Sequence, residues 1–225
     1  LGDVYKRQSY WKEFLRSLFV TGIFVTIAAL KAQGKLILRV GIMQMSLLKT
    51  VVLVGMMGSG KTSVGKVLST VLGVPFADTD IEISNDANST ISEIFERDGE
   101  VMFRQAETRI IKRLLDGNPC VVSTGGGAFL ENENRKTISK FGVSVFLKVD
   151  REILWERVRR KDTRPLLKTT SPRDTLFKIL DTRQDIYNLA DFTVESNKGS
   201  SITQSANTVI DLLSRRPDVL NPVGD

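Results

Sequence analysis

Histidine is absent from the 225 residues and cysteine occurs once. Without an imidazole there is no Ser-His-Asp or Cys-His nucleophile pair and no His-ligated zinc, so proton transfer falls to Asp, Glu, Lys or water. A single cysteine excludes an internal disulfide and a cysteine metal cluster, and suits a reducing compartment. An apolar run at 17–30 (SLFVTGIFVTIAAL) has 14 residues. That falls short of the roughly 20 needed to span a bilayer. With 41% hydrophobic and 26% charged residues, the chain is long enough to bury one sizeable core.

The net charge of +6 invites a nucleic-acid or membrane reading, but its location argues otherwise. Residues 1–44 carry seven basic and two acidic side chains, a net of +5; the other 181 carry 25 and 24, a net of +1. A nearly neutral body lacks the basic footprint of a nucleic-acid binder. The first residue is Leu1, and three readings stand for 1–44: a signal or anchor, whose apolar core it matches in length; a genuine extension or targeting segment; or translation upstream of a start at Met43 or Met45. The expected division is 1–44 as an extension, 45–216 as the folded domain, and 217–225 as an irregular tail.

Within the folded part, Thr50–Val54 (TVVLV) is a continuously apolar, β-branched run typical of a strand buried on both faces. Val64, Val67, Leu68, Val71 and Leu72 then recur at helical spacing until Gly73. Further strands are predicted at 74–77, 120–123, 143–149 and 192–195. Helices are predicted at 91–97 and 100–115 with a break at Gly99, at 132–140, at 151–161 after Asp150 as N-cap, from Ser171-Pro172 with capping-box spacing to about 189, and from Ser201 to about 215. Five short strands separated by helices imply an α/β fold with a five-stranded, parallel, doubly wound sheet. Ligands bind such sheets at the carboxyl ends of the strands.

The polar motifs fall at those ends. Residues 55–62 (GMMGSGKT) fit G-x-x-x-x-G-K-[ST], between a strand and an amphipathic helix. Gly55, Gly58, Ser59 and Gly60 turn backbone N–H groups around phosphates, Lys61 adds a point charge and the Thr62 hydroxyl suits Mg²⁺. Asp78 and Asp80 close the second strand; two residues apart in extended chain, they point to the same side. Asp150 is a helix cap, with a Walker-B-like role as the alternative. Gly125, Gly126 and Gly127 form a bare backbone surface after the third strand, suited to close approach of a substrate. Arg104, Arg164 and Arg183 lie outside obvious helix pairing patterns; a lone arginine ordinarily reads as solvated surface, with bidentate capture of a carboxylate as the functional alternative. Residues 161–171, with Pro165, read as a mobile lid carrying Arg164. The run Arg157, Arg159, Arg160, Lys161 reads as a solvated helix face, with Arg160 against an adenine ring as the alternative.

Taken in order, GMMGSGKT, DTD (78–80), GEVMFRQAE (99–107), TGGG (124–127), RRKDTRPLL (159–167) and RQDIYNLAD (183–191) resemble the shikimate kinase family. The resemblance spans about 48–215 and implies a P-loop NTPase of the nucleoside-monophosphate-kinase type with a short lid, transferring phosphate from ATP to the 3-hydroxyl of shikimate in aromatic amino-acid biosynthesis. It implies that Lys61 holds the β- and γ-phosphates within the nucleotide-binding stretch through Ser63, and that Thr62 and, through water, Asp78 hold Mg²⁺. Asp80 would bind ring hydroxyls and orient or deprotonate the attacking one. Arg104 and Arg183 would clamp the carboxylate, Gly125 to Gly127 would line the pocket, and Arg164 would come from the lid. Arg160, Asn197 and Lys198 would lie near adenine. A cytoplasmic monomer without nucleic-acid or stable membrane partners is expected. The rivals are a gluconate or nucleotide kinase and a catalytically idle or membrane-tethered P-loop protein.

Overall fold

A computed structural model describes residues 23–32, 35–159, 167 and 169–222. Strands β1 (Ile23–Ala32) and β2 (Lys35–Leu47) pair antiparallel, and β2 continues through Met45 to Leu47. Next come β3 (Thr50–Val54), α1 (Lys61–Leu72), β4 (Phe76–Asp78), α2 (Thr79–Ala87) and α3 (Ile91–Asp116). They are followed by β5 (Val121–Ser123), a 3₁₀ turn (Ala128–Leu130), α4 (Asn132–Phe141), β6 (Gly142–Val149) and α5 (Arg151–Val158). The series closes with α6 (Pro172–Tyr187), β7 (Phe192–Ser196), α7 (Ile202–Leu213) and β8 (Leu220–Pro222).

The predicted five-stranded parallel sheet is present, in the order β4-β5-β3-β6-β7. Successive β3 residues face opposite layers, as strand geometry requires. Val51 and Leu53 pack with Val143, Val145 and Leu147 beneath Leu68 of α1 and Val209 and Leu213 of α7. Val52 and Val54 join Phe146, Ile111 of α3, Leu154 of α5 and Leu176 of α6 on the other face. Both faces are dry, which accounts for the unbroken apolar pattern of TVVLV. A satellite core of Ile83, Ile94, Phe103 and Ile110 holds α2 against α3. Because the chain leaves β3 for β4 and β5 on one side and returns to β6 and β7 on the other, a crevice opens at the carboxyl end of β3.

Local signals act as read at several helix ends. Gly73 caps α1 in the left-handed conformation, Asp150 accepts from the Glu152 amide, and Ser201 with Gln204 forms a complete capping box. Gly99 breaks α3 at φ 78°, ψ 173°. Four details differ from the sequence reading. Helix α2 starts at Thr79, so Asp78 and Asp80 do not share an extended segment; Asp78 is the helix N-cap and Asp80 lies in the first turn. Ser171 makes no side-chain cap bond at the start of α6, where Pro172 begins the helix. The tail is not wholly irregular, since Leu220–Pro222 pairs with Met45–Leu47. Helix α5 ends at Val158, and the segment expected to form the lid lies largely outside the described residues.

Candidate active site

The phosphate loop is shaped by glycines that hold left-handed backbone. Gly60, at φ 96°, ψ 14°, is the N-cap of α1 and supplies no side chain to cover the helix end. The first turn of α1 has no acidic residue, so its positive end faces the loop unneutralised. Buried Lys61 donates from Nζ to the carbonyls of Gly55 (2.8 Å) and Met56 (3.0 Å), drawing the loop around itself. The Ser59 hydroxyl is buried with no hydrogen-bond partner among the described residues. A buried orphan donor inside a ring of backbone N–H groups fits a bound phosphate.

This loop forms one wall of a cleft of about 530 Å³. Thr62 Oγ1 donates to Asp78 Oδ2 at 2.9 Å, and the other Asp78 oxygen accepts from the Asp80 amide at 3.2 Å. The cap therefore brings the two aspartates into one cleft, which both line. A hydroxyl beside a carboxylate at the phosphate loop is a hard-oxygen donor set that suits Mg²⁺, which takes one or two such groups plus substrate phosphates. Among the described residues no cluster of three or more Asp, Glu, Cys or His could hold a metal by itself.

The glycine run after β5 forms the next wall. The Gly125 amide donates to Thr79 Oγ1 at 3.0 Å, fastening the turn to α2. A Cβ on Gly125 would lie 2.7 Å from Glu107 Oε1 and 2.8 Å from Asp80 Oδ1, so only glycine fits between these carboxylates. Gly127 is packed against the Arg104 guanidinium with no space for a side chain. The Gly126 carbonyl accepts from the Tyr187 hydroxyl, and Arg183 NH1 sits 3.5 Å from it. Arg104 and Arg183, 79 positions apart in sequence, thus converge on adjacent glycines.

Arg104 is not outside helix pairing, contrary to the sequence reading. Its NH1 donates to Glu107 at 2.7 Å and its NH2 to Glu100 at 3.1 Å. Glu107 has no exposed surface. Burial pushes its carboxyl up to about 7, against the pull of Arg104, and the neighbouring Asp80 adds to the rise. Burial likewise pushes the Tyr187 phenol up, so it remains a neutral donor at ordinary pH.

On the opposite side, the cleft is bounded by Ser196, Ser200, Ser201 and Arg157. Arg157 NH1 donates to the Gly58 carbonyl at 3.2 Å. It therefore lines the cleft while staying solvent-exposed, as the solvated-face reading of the sequence has it, whereas Arg159 pairs outward with Glu156. Asn197 lines an adjoining crevice of about 340 Å³, and exposed Lys198 sits in the same turn without lining the cleft. Ser63, at the start of α1, lines the cleft as expected. Arg160 and Arg164 lie outside the described residues. Sequence reasoning assigned no role to Glu100, Glu107, Tyr187 or Arg157. The i, i+4, i+7 spacing of Glu100, Arg104 and Glu107 was the signal available for the first two.

A phosphate loop at the switch point of this sheet, beside a glycine turn on which two arginines converge, defines a P-loop kinase of the nucleoside-monophosphate-kinase type. Comparison with known proteins narrows the class. The shikimate kinase family model matches residues 57–214. The shikimate kinase of Ruegeria pomeroyi is 58% identical over 76% of this chain and 88% of its own, and that of Cereibacter sphaeroides 55% identical over 76% and 86%. The structure of the Acinetobacter baumannii shikimate kinase in complex with shikimate superposes with a TM-score of 0.71 at 36% identity, covering 75% of this chain and 95% of that one. The Bacteroides thetaiotaomicron shikimate kinase gives 0.68 at 31% identity, covering 75% and 98%. The chain belongs to the shikimate kinase family.

Proposed function

We infer that the protein phosphorylates the 3-hydroxyl of shikimate with ATP, as a step toward chorismate and the aromatic amino acids. The observation that carries this reading is the meeting of Arg104 and Arg183 on the Gly126-Gly127 backbone, which packs against the phosphate loop and continues the Gly125 turn beside Asp80. Two guanidinium groups suit the carboxylate of a small acid, and Asp80 suits its ring hydroxyls.

In the reaction, the acceptor hydroxyl oxygen forms a bond to the γ-phosphorus while the bond from that phosphorus to the β,γ-bridging oxygen breaks, releasing ADP. The hydroxyl proton passes to Asp80. Lys61 and the loop amides hold the phosphate oxygens, and the Gly125 turn brings the acceptor in without a side chain between it and Asp80. Positioning and charge neutralisation supply most of the acceleration, so the absence of histidine costs little. Mg²⁺, held by Thr62 and through water by Asp78, would supply further neutralisation of the phosphates. Arg164, in the lid segment, would add charge at the transferring phosphoryl group. Arg160, Asn197 and Lys198 would border the adenine, and Arg157, which lines the cleft with Ser200 and Ser201, would join them.

We place the kinase unit at residues 45–222, extended past 216 because Leu220–Pro222 pairs with Met45–Leu47, and propose that it works as a cytoplasmic monomer on freely diffusing substrates, without nucleic-acid or membrane partners. Among the described residues no helix is long and apolar enough to cross a membrane. An ADP-release assay with shikimate, gluconate and nucleoside monophosphates offered separately tests the activity. Turnover is expected with shikimate; turnover with another acceptor instead would overturn it. Arg104→Lys or Arg183→Lys should raise the KM for shikimate, and an unchanged KM would remove the clamp.

A further inference from the structure

Glu100, Arg104 and Glu107 form one stripe of α3, and their side chains are 65%, 20% and 0% exposed. The two carboxylates treat Arg104 differently. Glu107, itself fully buried, takes NH1 at 2.7 Å, and so fixes where the guanidinium stands. Glu100 takes the opposite edge, with Nε at 3.4 Å and NH2 at 3.1 Å from a single oxygen, Oε1. The Nε/NH2 edge is a fork suited to bidentate capture of a carboxylate. Glu100 occupies it with one oxygen, at longer distances, in contact with water. Such an exposed pair is easily exchanged.

The local fold leaves Glu100 free to leave. Gly99 interrupts the helix at φ 78° immediately before it, with open space around the Cα, so Glu100 begins the inner helical segment. An open depression of about 570 Å³, whose lining includes Glu100, Arg104, Thr108 and the carboxylates of Glu131 and Glu133, gives the side chain room to swing outward into solvent.

We propose that Glu100 is a tethered counter-ion that holds the carboxylate-accepting edge of Arg104 in the free protein and is displaced by the acceptor's own carboxylate. The inference rests on Arg104 being the acceptor clamp, and adds to it an internal competitor for the acceptor's carboxylate. An acceptor with a carboxylate replaces a one-oxygen contact by a two-oxygen one. An acceptor without a carboxylate has nothing to exchange, so it meets an edge already filled. Glu100 thus sets the affinity for a carboxylate acceptor through its competition for Arg104.

The test is Glu100→Gln in the full chain. The KM for shikimate should fall about two- to fivefold, the range set by an exposed ion pair, with kcat and the KM for ATP within twofold of the parent. Calorimetric affinity for the carboxamide analogue of shikimate, which has the same ring and no anion, should not change. A KM for shikimate that rises or stays the same, or an equal shift for both acceptors, would overturn the counter-ion role. Glu100→Asp provides a second arm: it keeps the charge but shortens the reach to the Arg104 edge, and should also lower the KM for shikimate. Loss of the clamp itself appears separately, as an unchanged KM in Arg104→Lys.

Discussion

Glu107, with no exposed surface, accepts from Arg104 NH1 at 2.7 Å, while its other oxygen, Oε1, faces Gly125 without a hydrogen-bond partner among the described residues. One buried carboxyl therefore anchors Arg104 and sets the clearance at the glycine turn. Its ionisation is coupled to folding. The ordinary value is 4.5 and burial lifts it to about 7, so between these values the folded protein holds a proton that the unfolded chain has released. Stability from this group is full below pH 4.5, falls as pH rises toward 7, and is level above. Glu107→Gln removes that slope. In urea titrations from pH 4.5 to 8, the unfolding free energy of the variant relative to the parent should rise by about 3 kcal/mol. Parallel pH profiles would contradict this.

Asp80→Asn should lower kcat by about 10²-fold or more while ATP affinity stays near that of the parent, if Asp80, which lines the cleft, takes the proton of the acceptor as proposed and the phosphate loop holds the nucleotide. Single-turnover kinetics and nucleotide titration separate the two effects. A kcat near the parent value would take Asp80 out of the acceptor site.

Gly125→Ala places a methyl group 2.7 Å and 2.8 Å from two carboxylate oxygens. Glu107 is enclosed and cannot yield, so Asp80 or the turn must move. The expected cost is about 1–3 kcal/mol of stability, with a raised KM for shikimate and a reduced kcat. Thermal denaturation together with steady-state kinetics reads both.

Arg157→Ala removes the charged donor to the Gly58 carbonyl at 3.2 Å. Loss of about 1 kcal/mol should raise the KM for ATP about fivefold and leave the KM for shikimate unchanged. An effect confined to shikimate would put this arginine on the wrong side of the cleft.

A chain begun at Met45 retains the pairing of Met45–Leu47 with Leu220–Pro222 and the whole parallel sheet. Its specific activity should match that of the chain begun at Leu1. A large loss would make residues 1–44 part of the working enzyme.

Much of the fold was legible because its determinants are local and repeated. The TVVLV run, the helical spacing from Val64 to Leu72, the Gly73 stop and the Ser201 box each express a backbone preference within a few residues. Helix α2 was missed for the opposite reason. Its sequence, TDIEISNDA, has few apolar positions, and it holds its place through Ile83 in the satellite core and the Asp78 cap.

The phosphate-handling chemistry was determined by sequence alone, because a contiguous loop with glycines at set positions both makes the cradle and carries Lys61 and Thr62 into it. The acceptor side was decided by tertiary structure. Asp80, Arg104, Glu107, Gly125 and Arg183 come from three helices and a turn, and only their packing brings two carboxylates to either side of one glycine and two guanidiniums to its neighbours. Burial then raised Glu107 toward neutrality, and the turn of α5 aimed Arg157 at Gly58. Neither dehydration nor side-chain direction is written in residue spacing; both arise when distant segments exclude water from a common space.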